Sequence, residues 1–134
     1  MKMVLEHYGV KMSEAELGRM TGCTATDGTR THRMISTARK LGFKTFLKDN
    51  TLAADLDRWL KKGIPVIVDW FSTDVGHYSV AVGRTAKTLW LVDPEFGRVR
   101  RMPWKKFWGV WFDFEDIIPT RRSLVIRRMI VIHP

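Results

Sequence analysis

The apolar residues of this chain change their period at Gly63. Before that point they recur three and four apart, the spacing of one helical face. Met1, Val4, Leu5 and Tyr8 form one such set, and Leu17 with Met20 a second. Met34, Ile35, Ala38 and Leu41 form a third, and Leu52, Leu56, Trp59 and Leu60 a fourth. After Gly63 the apolar residues come in short runs rich in β-branched and aromatic types. These are Ile64–Trp70, Gly76–Gly83, Leu89–Pro94, Val110–Phe114 and Leu124–Ile132, each of strand length, with the basic segment Gly97–Met102 as a further strand. Helices followed by mostly antiparallel strands make an α+β fold in two layers.

Local signals fix the ends. Gly9 stops the first helix. Ser13 and Glu16 fit a capping box for the second, which Gly22 ends. Residues 24–28 read as a loop turning at Asp27-Gly28. The third helix runs from Thr31 to Leu41 with Gly42 beyond it, and Phe43–Leu47 is a strand candidate. Thr51 is expected to cap the fourth helix, closed by Lys61, Lys62 and Gly63, the two lysines lying where the helix dipole favours cations. Pro103 suits the first position of a short helix over Trp104–Phe107. The first helix has no N-cap and is in full periodicity from residue 1, so it reads as the tail of a longer helix.

Two adjacent strands carry candidate chemistry. Gly76–Gly83 and Leu89–Pro94 are separated by a short link and read as a hairpin. With a three-residue loop at Arg84–Ala86, Gly83 faces Lys87 and His77 faces Asp93. Directly opposed side chains have Cβ atoms roughly 4.5–5.5 Å apart, close enough for a carboxylate to accept from an imidazole N–H. A histidine oriented by an aspartate is two thirds of a nucleophilic triad. The alternative is plain structure, since Asp-Pro is an ordinary turn and Gly-His can simply begin a strand. The geometry depends on register, because a slip of one residue puts the two side chains on opposite faces.

Composition narrows the classes. A chain of 134 residues, 45% hydrophobic and 28% charged, suits one globular domain. The longest apolar run, Ile64–Val68, is far short of a membrane span, and no signal-peptide pattern is visible. The net charge of +9 raises nucleic-acid binding. However, no basic run exceeds two consecutive residues and no zinc-finger or basic-aromatic signature accompanies it, so Arg98-Val99-Arg100-Arg101 and the other clusters read as solvated surface. The single cysteine, Cys23, excludes an internal disulfide and favours a reducing compartment, the cytoplasm. No His-Glu spacing suits a metal, and no cofactor is indicated. His7 lies on the outer side of its helix, His32 in a first helical turn and His133 near the end. The six tryptophans are mostly packing residues; Trp104, Trp108 and Trp111 are also candidates for the edge of a peptide groove.

An ordered set of segments resembles a known family. Met3-Val4-Leu5-Glu6-His7-Tyr8-Gly9-Val10, the helix from Ser13, Asp27-Gly28-Thr29, Ala38–Phe43, Gly63-Ile64-Pro65-Val66-Ile67, Gly76-His77-Tyr78-Ser79-Val80 and Val92-Asp93-Pro94 are similar, in order, to cysteine-peptidase family thirty-nine. These are papain-like, bacteriocin-processing peptidases that cut leader peptides after a double glycine, many of them at the front of ABC transporters. The resemblance implies a papain-like fold with N-terminal helices on the sheet, His77 as base, Asp93 as its orienting group, and a leader peptide and a transporter as partners. It also implies a Cys-Gly-Pro segment ahead of Met3, with a glutamine before the cysteine. Residues 1–134 therefore read as one peptidase-like domain cut within its first helix and lacking its nucleophile. Cys23 is a poor substitute: it follows the glycine that ends a helix, where the carbonyl end raises a thiol pKa, and it reads instead as a small, partly buried side chain. The expected function is leader-peptide proteolysis, inactive in this chain without its thiol; the alternative is a degenerate domain that binds peptides without cutting them.

Overall fold

In the computed structural model, residues 1–26, 28–73, 75–94 and 97–134 are described; the Asp27 half of the expected Asp27-Gly28 turn lies outside them. The chain forms two compact units, Met1–Phe46 with Ile132–Pro134, and Leu47–Val131.

The first unit holds three helices, α1 (Lys2–His7), α2 (Glu14–Thr21) and α3 (Thr31–Lys40). Helix α1 buries Val4 and Leu5 completely. Helix α2 starts on the expected capping box. The Ser13 hydroxyl accepts from the Glu16 amide at 3.2 Å, and the Glu16 carboxylate accepts from the Ser13 amide at 2.8 Å. Helix α3 buries Met34, Thr37 and Ala38, and the Thr37 hydroxyl donates to the Met20 carbonyl at 3.2 Å, fastening α3 to α2. Strand β1 (Lys44–Lys48) carries the chain into the second unit.

The second unit contains helix α4 (Ala53–Leu60), strands β2 (Val66–Ser72), β3 (Val75–Arg84), β4 (Thr88–Asp93) and β5 (Arg98–Pro103), helix α5 (Trp104–Val110), the small ladder β6 (Phe112–Phe114) with β7 (Leu124–Ile126), and most of β8 (Arg128–His133). Five strands lie in the order β8-β2-β3-β4-β5, each antiparallel to its neighbour. In the β2–β3 register Val66, Val68 and Trp70 share a face with Ala81, Ser79 and His77. That face forms the core with Leu56 of α4, Leu89 and Leu91 of β4, Phe107 of α5 and Trp111. Helix α4 is fastened to the sheet through Asp57, whose carboxylate accepts from Arg84 Nε at 2.8 Å.

Among the boundaries that differ from the sequence reading, α5 runs on to Val110 with Pro103 as its N-cap, which delays β6 to Phe112, and two others have a visible cause. Thr51 does not cap α4: Leu52 is the N-cap, and the Asp55 carboxylate accepts from its amide at 2.9 Å. Thr51 is fully buried and its hydroxyl donates to the Lys48 carbonyl instead. Leu52 accordingly lies outside the core at 57% exposure. The run Leu124–Ile132 is two strands, broken at Arg127, which has a positive φ of 48°. The Arg127 amide donates to the Trp111 carbonyl and its Nε to the Thr51 carbonyl, both at 2.9 Å. Those two bonds hold a conformation that L residues seldom adopt.

Candidate active site

The site lies at the ends of β3 and β4, on the core face of the sheet. His77 Nε2 is 3.0 Å from Asp93 Oδ1, and Asp93 is 1% exposed. The register behind this contact is not the one expected. The first pair beyond the turn is Arg84 with Leu89, and Val82 bulges between Ala81 and Gly83, so that Val80 faces Val92. Carried onward, this places Asp93 opposite Ser79, with His77 diagonal to it. The displacement from the expected register is two residues, and an even slip preserves the face. Diagonal neighbours stand roughly 7–8 Å apart, within reach of a long side chain, and the imidazole leans along the sheet to meet the carboxylate.

An ionised carboxylate can only accept. Facing Nε2, it fixes the ring proton there and leaves Nδ1 with the lone pair, the nitrogen able to take a proton. Trp70 packs edge-on against the imidazole at 5.7 Å between ring centroids, and its Nε1 donates to the Ser79 hydroxyl at 3.0 Å. The tryptophan therefore limits ring rotation on one side while Asp93 limits it on another. The second Asp93 oxygen, Oδ2, accepts from Arg100 Nη1 at 3.2 Å. A buried carboxylate with a cation on one oxygen and an imidazole on the other can stabilise a transient imidazolium without itself taking up a proton.

On the opposite face of the sheet is a second set of charged groups. Asp69 is 3% exposed, and its Oδ1 has no hydrogen-bond partner among the described residues. Burial, reinforced by the Asp113 carboxyl alongside, pushes the Asp69 carboxyl to about 8, against the pull of Arg128. Arg128 is itself 7% exposed; its Nε donates to Asp49 at 2.8 Å and its Nη1 to Glu115 at 2.7 Å. The Asp113 carboxylate occupies the space where a Cβ on Gly76 would sit. A residue with no side chain is thus needed immediately before His77.

The remaining candidates are dispersed. Cys23 is exposed rather than partly buried; it follows the left-handed Gly22 that ends α2, φ 61°, and its Sγ is 3.9 Å from the Thr24 carbonyl. His7 and His32 are exposed and His133 is half-buried. Trp111 is 1% exposed and belongs to the core, Trp104 packs against that core, and Trp108 is 37% exposed beneath the Arg127 guanidinium. Among the described residues no group of three or more His, Cys, Asp or Glu is placed to hold a metal ion, and no helix is long and apolar enough to cross a membrane. Sequence reasoning missed Arg100, Trp70 and the Asp69–Asp113 pair. The β4–β5 pairing of Asp93 with Arg98 could have pointed to Arg100 two residues on.

The chain is similar in sequence and fold to known proteins. The chain is 30% identical over 102 residues to the lactococcin-G-processing and transport ATP-binding protein LagD of Lactococcus lactis subsp. lactis. That match takes in 74% of this chain, which spans only 14% of LagD. Among solved structures, the peptidase domain of Streptococcus ComA, a bi-functional ABC transporter involved in a quorum-sensing pathway, superposes with a TM-score of 0.74 at 26% identity, covering 99% of this chain and 86% of that one. The peptidase domain of Streptococcus mutans ComA shares the fold at a TM-score of 0.55 and 22% identity, covering 90% of this chain and 86% of that one. With its α+β fold shared by those peptidase domains and the family's own model matching residues 1–113, the chain belongs to the peptidase C39 family.

Proposed function

We propose that this domain serves thiol-dependent cleavage of leader peptides ahead of export, with His77 as proton carrier and Asp93 as the group that orients it. The observation that carries the reading is the contact of 3.0 Å between His77 Nε2 and a carboxylate that is 1% exposed. The likeness to LagD, a lactococcin-G-processing and transport protein, and to the peptidase domain of the ABC transporter ComA supports a peptide substrate and a transporter partner.

The chemistry follows from the two nitrogens. Nδ1 takes the proton of a cysteine thiol, and the thiolate attacks the scissile carbonyl carbon. The imidazolium, stabilised by Asp93, then gives its proton to the leaving amine as the C–N bond breaks. Water activated by the same nitrogen hydrolyses the thioester and restores the thiol. The thiol is assigned to residues ahead of Met1, since Cys23 sits exposed just past the carbonyl end of α2, whereas a nucleophilic cysteine is served by the amide end of a helix.

The test begins with the coding sequence ahead of Met1. An in-frame Cys-Gly-Pro segment preceded by glutamine is expected, and a product starting there should cut a double-glycine leader peptide. His77→Ala in that product should lose about 10²–10⁴-fold in rate. An in-frame stop close to Met1, or cleavage that survives His77→Ala, overturns the reading. Saturable leader binding with no cleavage in the longer product assigns the domain to peptide capture instead.

A further inference from the structure

We infer that Arg100 is a positioning residue for the His77–Asp93 pair, an inference that deepens the peptidase reading and rests on it. Two contacts carry it. Arg100 Nη1 holds Asp93 Oδ2 at 3.2 Å, and the guanidinium carbon lies 5.9 Å from the centre of the Trp70 ring. Asp93 and Trp70 are the two groups that fix the His77 ring. One side chain on β5 therefore touches both supports of an imidazole on β3.

The electrostatic consequence is the stronger one. Asp93 is 1% exposed, and a carboxylate buried that deeply is costly unless paired. A neutral imidazole offers it a hydrogen bond but no charge. The Arg100 guanidinium supplies the counter-charge on Oδ2, which favours the carboxylate form of Asp93 as acceptor for the Nε2 proton and leaves Nδ1 bare. Without Arg100 the carboxylate is relieved by a proton, either on itself or on the imidazole. A proton on the imidazole fills the Nδ1 that must accept the thiol proton, and a proton on Asp93 weakens its hold on the Nε2 proton and frees the ring to take the other tautomer. Among the described residues, the charged groups on the elements around His77 include Asp93 from β4 and Arg98 and Arg100 from β5, with Asp69 and Asp113 across the sheet. Arg100 brings its cation directly onto Asp93 Oδ2.

The experiment uses ¹⁵N-resolved NMR of His77 in the 134-residue chain, native and with Arg100→Gln or Arg100→Lys. At pH 7 the native ring is expected in a single neutral form with its proton on Nε2. Arg100→Gln should lose that signature while keeping the rest of the amide spectrum, and Arg100→Lys should restore it in part, by charge without the fork. In the longer product, Arg100→Gln should lower kcat about tenfold at pH 7 with KM unchanged. Raising the pH by one to two units should recover most of the loss. An unchanged His77 signature in a folded Arg100→Gln protein overturns the inference. If the signature changes as expected but the longer product shows no His77-dependent cleavage, the inference stands for the pair and the peptidase reading fails.

Discussion

Replacing Asp69 with asparagine should stabilise the protein at alkaline pH and leave it nearly unchanged at pH 4. Asp69 lies on β2 with 3% of its surface exposed and Asp113 beside it, and its carboxyl is pushed from the ordinary 3.8 to about 8. The folded state thus binds this proton more tightly than the unfolded chain does. The stability it contributes is complete below about pH 4 and is lost as pH rises to about 8, beyond which the group adds no further slope. Each unit of pKa difference corresponds to about 1.4 kcal/mol. The gap therefore amounts to a few kcal/mol, a large share of the 5–15 kcal/mol typical of a domain. The assay is urea denaturation from pH 5 to pH 9 on native protein and Asp69→Asn. Taking the difference removes the other titrating groups, including the Met1 amine, which burial lowers to about 6 and whose slope has the opposite sign. The native protein should lose at least 1 kcal/mol relative to the variant across this range. Parallel curves would refute the reasoning, because they would mean that Asp69 is ionised in the folded state at pH 5.

Three further outcomes follow from the packing. Gly76→Ala puts a methyl into the Asp113 carboxylate and should cost about 1–3 kcal/mol; pairing it with Asp113→Ala should recover part of that loss in the same urea titration. Phe107→Ala empties a fully buried position between Trp70, Trp104 and Trp111 and should cost about 3–5 kcal/mol by urea denaturation. Cys23→Ser should change stability by less than about 0.5 kcal/mol; in the native chain a thiol reagent should modify Cys23 without prior unfolding, since the side chain is exposed.

Features that depend on residues close in sequence were legible before the structure. The capping box at Ser13 needs only a serine and a glutamate three residues apart, and it forms as read. The change of period at Gly63 separates the helices from the sheet for the same reason, because each element advertises its buried face in its own spacing. The shared face of His77 and Asp93 was legible although their register was not. The bulge at Val82 and the longer turn displace the pairing by an even number, a compensation that no local signal announces. Contacts from distant segments were the least visible. Leu124–Ile132 read as one strand because its apolar pattern is continuous, whereas Arg127 is turned by carbonyls from Trp111 and Thr51. Thr51 looked like a cap by type alone, and Leu52 looked buried by period alone. Arg100 was hidden in a basic run whose solvent exposure is the ordinary reading, and Asp69 in an apolar strand gave no sign of its partner, forty-odd residues on.

The central claim is that Asp93 holds His77 by Nε2 and leaves Nδ1 to accept a proton. The ¹⁵N chemical shifts of His77 in the native chain at pH 7, compared with those in Asp93→Ala, test it directly. The account predicts a protonated Nε2 and an unprotonated Nδ1 in the native protein, giving way to mixed tautomers in the variant. A native ring carrying its proton on Nδ1, or shifts that do not respond to the loss of Asp93, would contradict it.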